Sequence, residues 1–591
     1  MRALTATLCV IALVGCGPDL RTPGPRSEIR VERAPQAMAP MMGGALLVTQ
    51  SGRYAVASDP HGDALHVVDL TTKKVRRIAL PRGSRPNRMT EDSRGDVRVV
   101  LRGTGQLATV SLTTFAVEGT RSICPEPRGV SWDALRASVQ VACASGHLVS
   151  VPLEGSSTSR FVAVDLRDVV PVGGKLLATT FREGLLLDAT GPEAVVLNRL
   201  PDFERGDARF RGGVAWRAVA GPGDTLLVTH QRERLDDLGE GPAMPAASAP
   251  ATGAYGIPGA PFDPSAPCDS GPAVRSAVTM MDATGAILLS AETGGVLPVD
   301  LSAAPDGTMA VTANPGNQLV DFVPLARGTS GCTTQVAASP PAPAGSLAGV
   351  AFTPAGQLVS VSFSPPVLSI HAGDGAIEQV ALSDVPAPNP GNTLFHAAAP
   401  AGLACASCHP EGGDDGHVWT VAGKARRSQS LQGGVTASAP FHWQGEHRTL
   451  ASLMADTFVS RMSGPPPDSS TVDALGDWLD SALPRLQVVS AAPASQLAEG
   501  RRAFEAAGCA SCHAGARLTN DTTVDVGTGG AFQVPSLAGL SLRAPFMHDG
   551  CAKDLEARFA DPVCGGGAKH GDVSKLSAPE REALLAYLAS L

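Results

Sequence analysis

Between Gly43 and Leu382 the chain alternates short apolar runs with glycine turns. Residues 53–58 are followed by 64–70, residues 97–101 by 107–112, and residues 139–143 by 148–151; further runs stand at 176–180, 225–229, 309–313 and 358–362. Runs of this length, rich in β-branched residues and bounded by turn residues, read as strands. They recur in seven crude units of about 40–50 residues, the period of a repeat that closes into a ring. The expectation over 43–383 is therefore an all-β propeller of seven blades, with a pair of β-sandwiches as the alternative. A ring of short sheets also leaves few exposed strand edges. One unit is interrupted by 232–272, a Pro-, Ala- and Gly-rich stretch that contains Cys268. A loop of that length is either functional, leaning over a face of the ring, or plain surface. His61, His66, His147, His230 and His371 have no metal-ligand spacing and read as structural.

The pattern changes after a linker at 384–395, stiffened by Pro386, Pro388 and Pro390. Helical spacing then takes over. Ser470 is placed to cap a helix carrying Val472, Leu475, Trp478 and Leu479, and Ser495 to open one that runs through Phe504. Ser577-x-x-Glu580, with Pro579, forms a capping box ahead of Leu584, Leu585, Leu588 and Leu591. The expected architecture is multidomain, a propeller followed by two all-α lobes at 396–484 and 485–591. A chain of 591 residues is long enough for several cores. A net charge of −9 without a basic run argues against a nucleic-acid partner.

At the N-terminus Arg2 precedes a short apolar run, 4–14, too short for a permanent membrane helix. It ends in Leu13-Val14-Gly15-Cys16, which resembles the lipobox of bacterial lipoproteins. On that reading 1–15 is a signal peptide, Cys16 is lipidated, and 16–42 is a flexible stalk; an ordinary secretory signal is the alternative. Gly17 in place of Asp favours the outer membrane, so a periplasmic or surface location with a lipid anchor is expected. Export implies an oxidising compartment. Six of the twelve cysteines then remain for disulfides, and neighbour pairing gives 124–143, 268–332 and 551–564, one of fifteen arrangements.

The candidate chemistry lies in Cys405-Ala406-Ser407-Cys408-His409 and its repeat, Cys509-Ala510-Ser511-Cys512-His513. Cys-x-x-Cys-His is the attachment pattern of c-type haem. Two thiols one turn apart reach the two vinyl groups of one porphyrin, and the adjacent His binds the iron. A zinc ribbon would need its second Cys pair within about 15–20 residues; here each distant pair carries its own His. Two covalent haems are expected, with His409 and His513 as proximal ligands. Six further His, at 396, 417, 442, 447, 548 and 570, crowd the same region.

The flanking segments carry a resemblance. Asp415-Gly416-His417-Val418-Trp419, Ala439-Pro440-Phe441-His442-Trp443-Gln444-Gly445, Phe532-Gln533-Val534-Pro535-Ser536-Leu537 and Ala544-Pro545-Phe546-Met547-His548-Asp549-Gly550 are similar to the dihaem cytochrome c peroxidase family and its MauG-like branch, which matures tryptophan-derived quinone cofactors. The resemblance covers 392–591; the propeller lies outside it. It implies cytochrome c-like lobes, a reactive first haem, an electron-transfer second haem, and Trp443 as the relay between them. It places a displaceable distal ligand of the first haem at His417, with His442 and His396 competing, and one of the second haem at Met547 or His570. The family's Gln and Glu beyond the relay Trp have no counterpart between Leu450 and Met462, and Glu446 is misplaced for the role. The expected function is an exported, lipid-anchored dihaem cytochrome that passes electrons to or from a small redox protein or cytochrome. The alternatives are a peroxidase-like oxidoreductase that reduces hydrogen peroxide or oxidises a propeller-bound partner, and a propeller binding module with structural haems.

Overall fold

The computed structural model describes residues 27–31, 38–239, 272–326, 330–332, 347–373, 375–383, 389–483, 486–490 and 492–591. The signal segment, Cys16, the interruption at 240–271 and the expected 268–332 bridge lie outside the described residues.

The seven expected blades are present. Sheets at 46–79, 86–122, 127–161, 166–199 and 347–381 are four-stranded meanders; the sheet at 300–324 has three strands among the described residues. The remaining sheet has six, because Phe203–Arg205 and Ser330–Cys332 add to its edges. The leading run of each unit is the second strand of its blade: Tyr54–Asp59, Val97–Leu101, Ser138–Cys143, Lys175–Thr180, Thr225–Arg234, Met309–Asn314 and Leu358–Phe363; the runs that follow at 64–70, 107–112 and 148–151 are third strands. Second strands are covered on both faces, so most of their positions are apolar or small. The outermost strands, such as Ala116–Ser122, are largely exposed and carry no such signal. The first strands line the axis. The ring closes where the Ala45 N–H donates to the Ala348 carbonyl, at 3.4 Å.

The axis is held by charge. Arg88 and Arg167, each 1% exposed, both donate to the Trp216 carbonyl, and Arg88 pairs with the buried Asp168. Arg217 links Asp168 (3.2 Å) to Asp300 (3.4 Å) and so ties one further blade, that of Asp300, to this hub.

Helices Pro390–His396, Cys405–Cys408, Leu450–Met454 and Ser469–Ala482 build the first lobe; Ala494–Ala506, Leu555–Ala560, Pro562–Gly565 and Ala578–Ala589 build the second. Among the described residues no helix is long and apolar enough to cross a membrane. The Ser577–Glu580 capping box forms as expected. The other two starts differ. Asp468, not Ser470, caps Ser469–Ala482, its carboxylate accepting from the Thr471 N–H; a carboxylate is also the better partner for the positive end of a helix. Ala494–Ala506 begins behind Pro493 without a side-chain cap.

The expected stalk also differs. Ser27–Val31 pairs antiparallel with Leu486–Ser490, between the lobes. Met41 and Met42 are buried, and the Met38 carbonyl accepts from Trp478 Nε1 at 2.8 Å. Met41 gains by burial in the core shared by the first lobe and the propeller, and Met42 against Arg102 of the ring, contacts that a solvated stalk would forgo. The disulfides Cys124–Cys143 and Cys551–Cys564 form as neighbour pairing expects.

Helices Ala494–Ala506 and Ala578–Ala589 cross at Gly500, where a Cβ would stand 2.0 Å from the Ala583 carbonyl oxygen. Gly500→Ala is expected to force the helices apart and cost about 1–3 kcal/mol, measured as a lower denaturant midpoint with unchanged propeller circular dichroism.

Candidate functional site

Each Cys-Ala-Ser-Cys-His segment forms a single tight turn. In the first, the Ala404 N–H donates to the Ser407 hydroxyl, and His409 caps the turn. In the second, Gly508 supplies the left-handed backbone (φ 83°) that starts the turn Cys509–Ser511. His409 Nδ1 donates to the Gly413 carbonyl at 3.4 Å, and His513 Nδ1 to the Leu518 carbonyl at 3.3 Å. Each such bond favours the tautomer protonated at Nδ1, the one whose Nε2 can ligate a metal. Burial holds both imidazoles below the ordinary His pKa, in the neutral form that ligates metal. Burial also pushes the Cys405 thiol up to about 11 and the Cys408 and Cys509 thiols upward. All four thiols are unpaired.

Both turns open into one cavity of about 970 Å³, lined on the first side by Phe395, Trp419, Phe458 and Leu479 and on the second by Phe504, Leu537, Phe559 and Leu588. An apolar chamber with two free thiols and a carbonyl-anchored His at each end has the parts that a c-type haem requires at each motif.

The lobes meet through a duplicated loop. In the first copy Phe441 bridges His447 and His442 has φ 65°; in the second Phe546 bridges Ala552 and Met547 has φ 73°. Each loop reaches into the other lobe. The Arg427 N–H donates to the His548 carbonyl (2.8 Å), and the Gln533 N–H to the Trp443 carbonyl (2.7 Å). This reciprocal pairing brings Trp443 and His548 to the junction, ring centroids 6.3 Å apart. Trp443 Nε1 is fixed by the Arg427 carbonyl at 2.7 Å, and His548 stacks on Phe532 at 3.9 Å. Trp443, the expected relay, therefore lines the cavity at the junction of the two lobes.

The candidate distal ligands separate sharply. His570 lines the cavity and faces His513, their ring centroids 6.3 Å apart. Its Nδ1 donates to the Gly565 carbonyl at 3.1 Å, which again favours the tautomer whose Nε2 can ligate a metal. Burial, helped by Arg558 and His513, lowers its pKa to about 3. Met547 also lines the cavity. His417, expected over the first haem, lies outside the cavity. Its Nε2 donates to the Arg234 carbonyl of the propeller (3.0 Å), and its Nδ1 is 3.3 Å from the buried Glu233. His396 is also spent elsewhere, accepting from the Met41 N–H at 3.0 Å and donating to the Asn392 carbonyl at 2.8 Å. Both corrections have one cause: the first lobe docks on the propeller, and its interface histidines satisfy buried backbone groups. His442 stays on the cavity wall, its Nδ1 3.2 Å from Glu446.

That docking surface was not legible. Directly after the first motif, Glu411 inserts into the ring and pairs with Arg102 (2.8 Å) and Arg167. Asp414 pairs with Arg182 of the propeller and with Arg427, both at 3.0 Å. The only local signal was the acidic run Glu411, Asp414 and Asp415.

No family model matches the chain. The methylamine utilization protein MauG of Methylorubrum extorquens is 34% identical over 110 residues, 14% of this chain and 31% of that protein. The chain thus spans about a third of that relative's length, and MauG belongs to the branch that the motifs resemble. Together these mark a c-type haem-related protein. Among solved structures, a chain of Kuenenia stuttgartiensis hydrazine synthase is matched over 59% of this chain and 98% of its own, at 14% identity and a TM-score of 0.43. Virginiamycin B lyase from Staphylococcus aureus is matched over 57% and 96%, at 8% identity and a TM-score of 0.34.

Proposed function

We propose that this chain is a dihaem c-type cytochrome that conducts electrons between two covalently held haems at one face of a propeller. The observation that carries the reading is the shared cavity, lined by both Cys-x-x-Cys-His turns and by Trp443. When bound, the haems supply one-electron chemistry. The chain supplies four thiols for attachment, His409 and His513 as proximal ligands, and an apolar enclosure that keeps water from the irons. His570 would hold the second iron from the side facing His513. Its ring stands 6.3 Å from that of His513 across the cavity, which leaves room for a metal ion between the two imidazoles. Trp443, locked by its indole N–H, is the fixed aromatic stepping stone between the sites. Export, a lipid anchor at Cys16 and a small redox protein or cytochrome as partner complete the reading.

The test is the optical and EPR spectrum of the purified protein, fully oxidised and half reduced, with and without hydrogen peroxide. His570→Ala is expected to convert the second haem from low spin to high spin and leave the first unchanged. Two low-spin irons indifferent to peroxide support an electron carrier. A high-spin iron that appears on half reduction and reacts with peroxide replaces that reading with a peroxidase-like enzyme. A low-spin second haem in His570→Ala shifts the distal assignment to Met547.

A further inference from the structure

The duplicated loop carries different chemistry in its two copies. The bridges Phe441–His447 and Phe546–Ala552, and the left-handed backbone at His442 and Met547, make His442 equivalent to Met547 and His447 equivalent to Ala552. The loop therefore folds with an apolar pair, and its backbone does not call for imidazoles. In the first lobe a third donor joins them. Asp456 stands in the π-helical segment Ala455–Arg461 that follows the loop, a rare form that is frequent at functional sites. One ligand atom from each of His442, His447 and Asp456 lies within 4.8 Å of the other two. His447 Nε2 is 3.6 Å from Asp456 Oδ2, and the two imidazole rings meet edge-on with centroids 4.8 Å apart. Glu446 accepts from His442 Nδ1 at 3.2 Å, and His442 Nε2 stands 3.4 Å from the hydroxyl of Thr457, the neighbour of Asp456. A carboxylate behind a histidine is the usual support of a metal-ligating imidazole.

We propose that His442, His447 and Asp456 bind a divalent first-row transition-metal ion, separate from the two irons. Two imidazoles and one carboxylate suit Zn²⁺ and its neighbours in that row; Ca²⁺ demands oxygen donors throughout. In a tetrahedral site with bonds of about 2.1 Å, donors stand about 3.4 Å apart, so side-chain rotation closes this cluster on an ion. The side chains are partly exposed, at 31%, 15% and 32%, and an ion reaches them from solvent. Three protein ligands leave a fourth position, and His442 and Asp456 lie on the cavity wall. Arg461 holds Asp456 Oδ2 at 3.0 Å.

The test uses the full-length, haem-loaded protein, dialysed against chelator and then against Zn²⁺, with zinc and iron counted by elemental mass spectrometry and zinc affinity read by calorimetry. One zinc per chain is expected beyond the irons. His447→Ala and His442→Met are each expected to weaken zinc binding at least about 100-fold, and Glu446→Gln about 10-fold. The first two variants install residues that the second copy of the loop already carries, so the loop retains its fold; circular dichroism and the haem count on the same samples check this. No zinc on the wild type, or equal zinc on wild type and variants, overturns the proposal. So does a changed haem spectrum in His442→Met with zinc binding intact, which would assign His442 to an iron instead. The haem count is read independently, so failure of the zinc site and failure of the dihaem reading are distinguishable.

Discussion

Cys405→Ser with Cys408→Ser is expected to halve the covalently bound haem, from two per chain to one. Cys509→Ser with Cys512→Ser is expected to do the same at the other end of the cavity. A thiol is required for each thioether bond, and a hydroxyl does not replace it. Intact mass under denaturing conditions reads the result directly, and haem staining of a denaturing gel repeats it. The quadruple variant is expected to carry none. Unchanged mass beyond the substituted atoms would remove covalent haem from the account. The two pairs are not expected to be equal in their effect on stability. Cys405 and Cys408 pack against the large core shared by the first lobe and the propeller, whereas Cys509 borders the smaller core of the second lobe. Loss of the first haem exposes more apolar lining to water, so the first double variant is expected to have the lower melting temperature.

Glu411→Gln is expected to cost about 3–5 kcal/mol, the usual result of removing one partner from a buried ion pair. Glu411 is buried against Arg102 and Arg167. Arg102 keeps Glu126 as a second acid. Arg167 has no other carboxylate in ion-pair contact among the described residues, and burial already pulls its pKa down. The amide would leave that guanidinium charged and poorly compensated at the ring axis. The acid limb of stability should change as well. Burial by itself would raise the Glu411 pKa, but Arg102 and Arg167 outweigh it and hold the carboxyl well below the usual range. A folded pKa below the unfolded value of about 4.5 means that the stabilising contribution is complete above that pH. It is lost as pH falls toward the folded pKa. Chemical denaturation from pH 3 to pH 7 should therefore show a rise in wild-type stability that is smaller in Glu411→Gln. Limited proteolysis should also cut the variant between the ring and the first lobe earlier than wild type, because the same carboxylate joins the two. Equal midpoints across that range would show that the ring axis tolerates an unpaired Arg167.

The amino-acid sequence by itself determined the parts whose signals are local. The second strand of every blade was legible because burial on both faces leaves it largely apolar, as at residues 226–228, even where a paired charge such as Arg98 interrupts the run. The Ser577 capping box and the 124–143 and 551–564 bridges join residues close along the chain. The Cys-x-x-Cys-His turns carry their whole chemistry in five residues. Only the tertiary structure decided the use of each histidine. Residues 396, 417, 442 and 570 look alike in sequence, yet two of them satisfy backbone groups at the contact with neighbouring segments, and one faces a proximal His across the cavity. The charged hub of Arg88, Arg167 and Asp168, and its plug Glu411, were likewise invisible. Their partners are scores to hundreds of residues apart, and a long-range ion pair leaves no periodicity to read. A buried charge is stable only with its partner in place, so the fold had to bring the two together before either had a meaning.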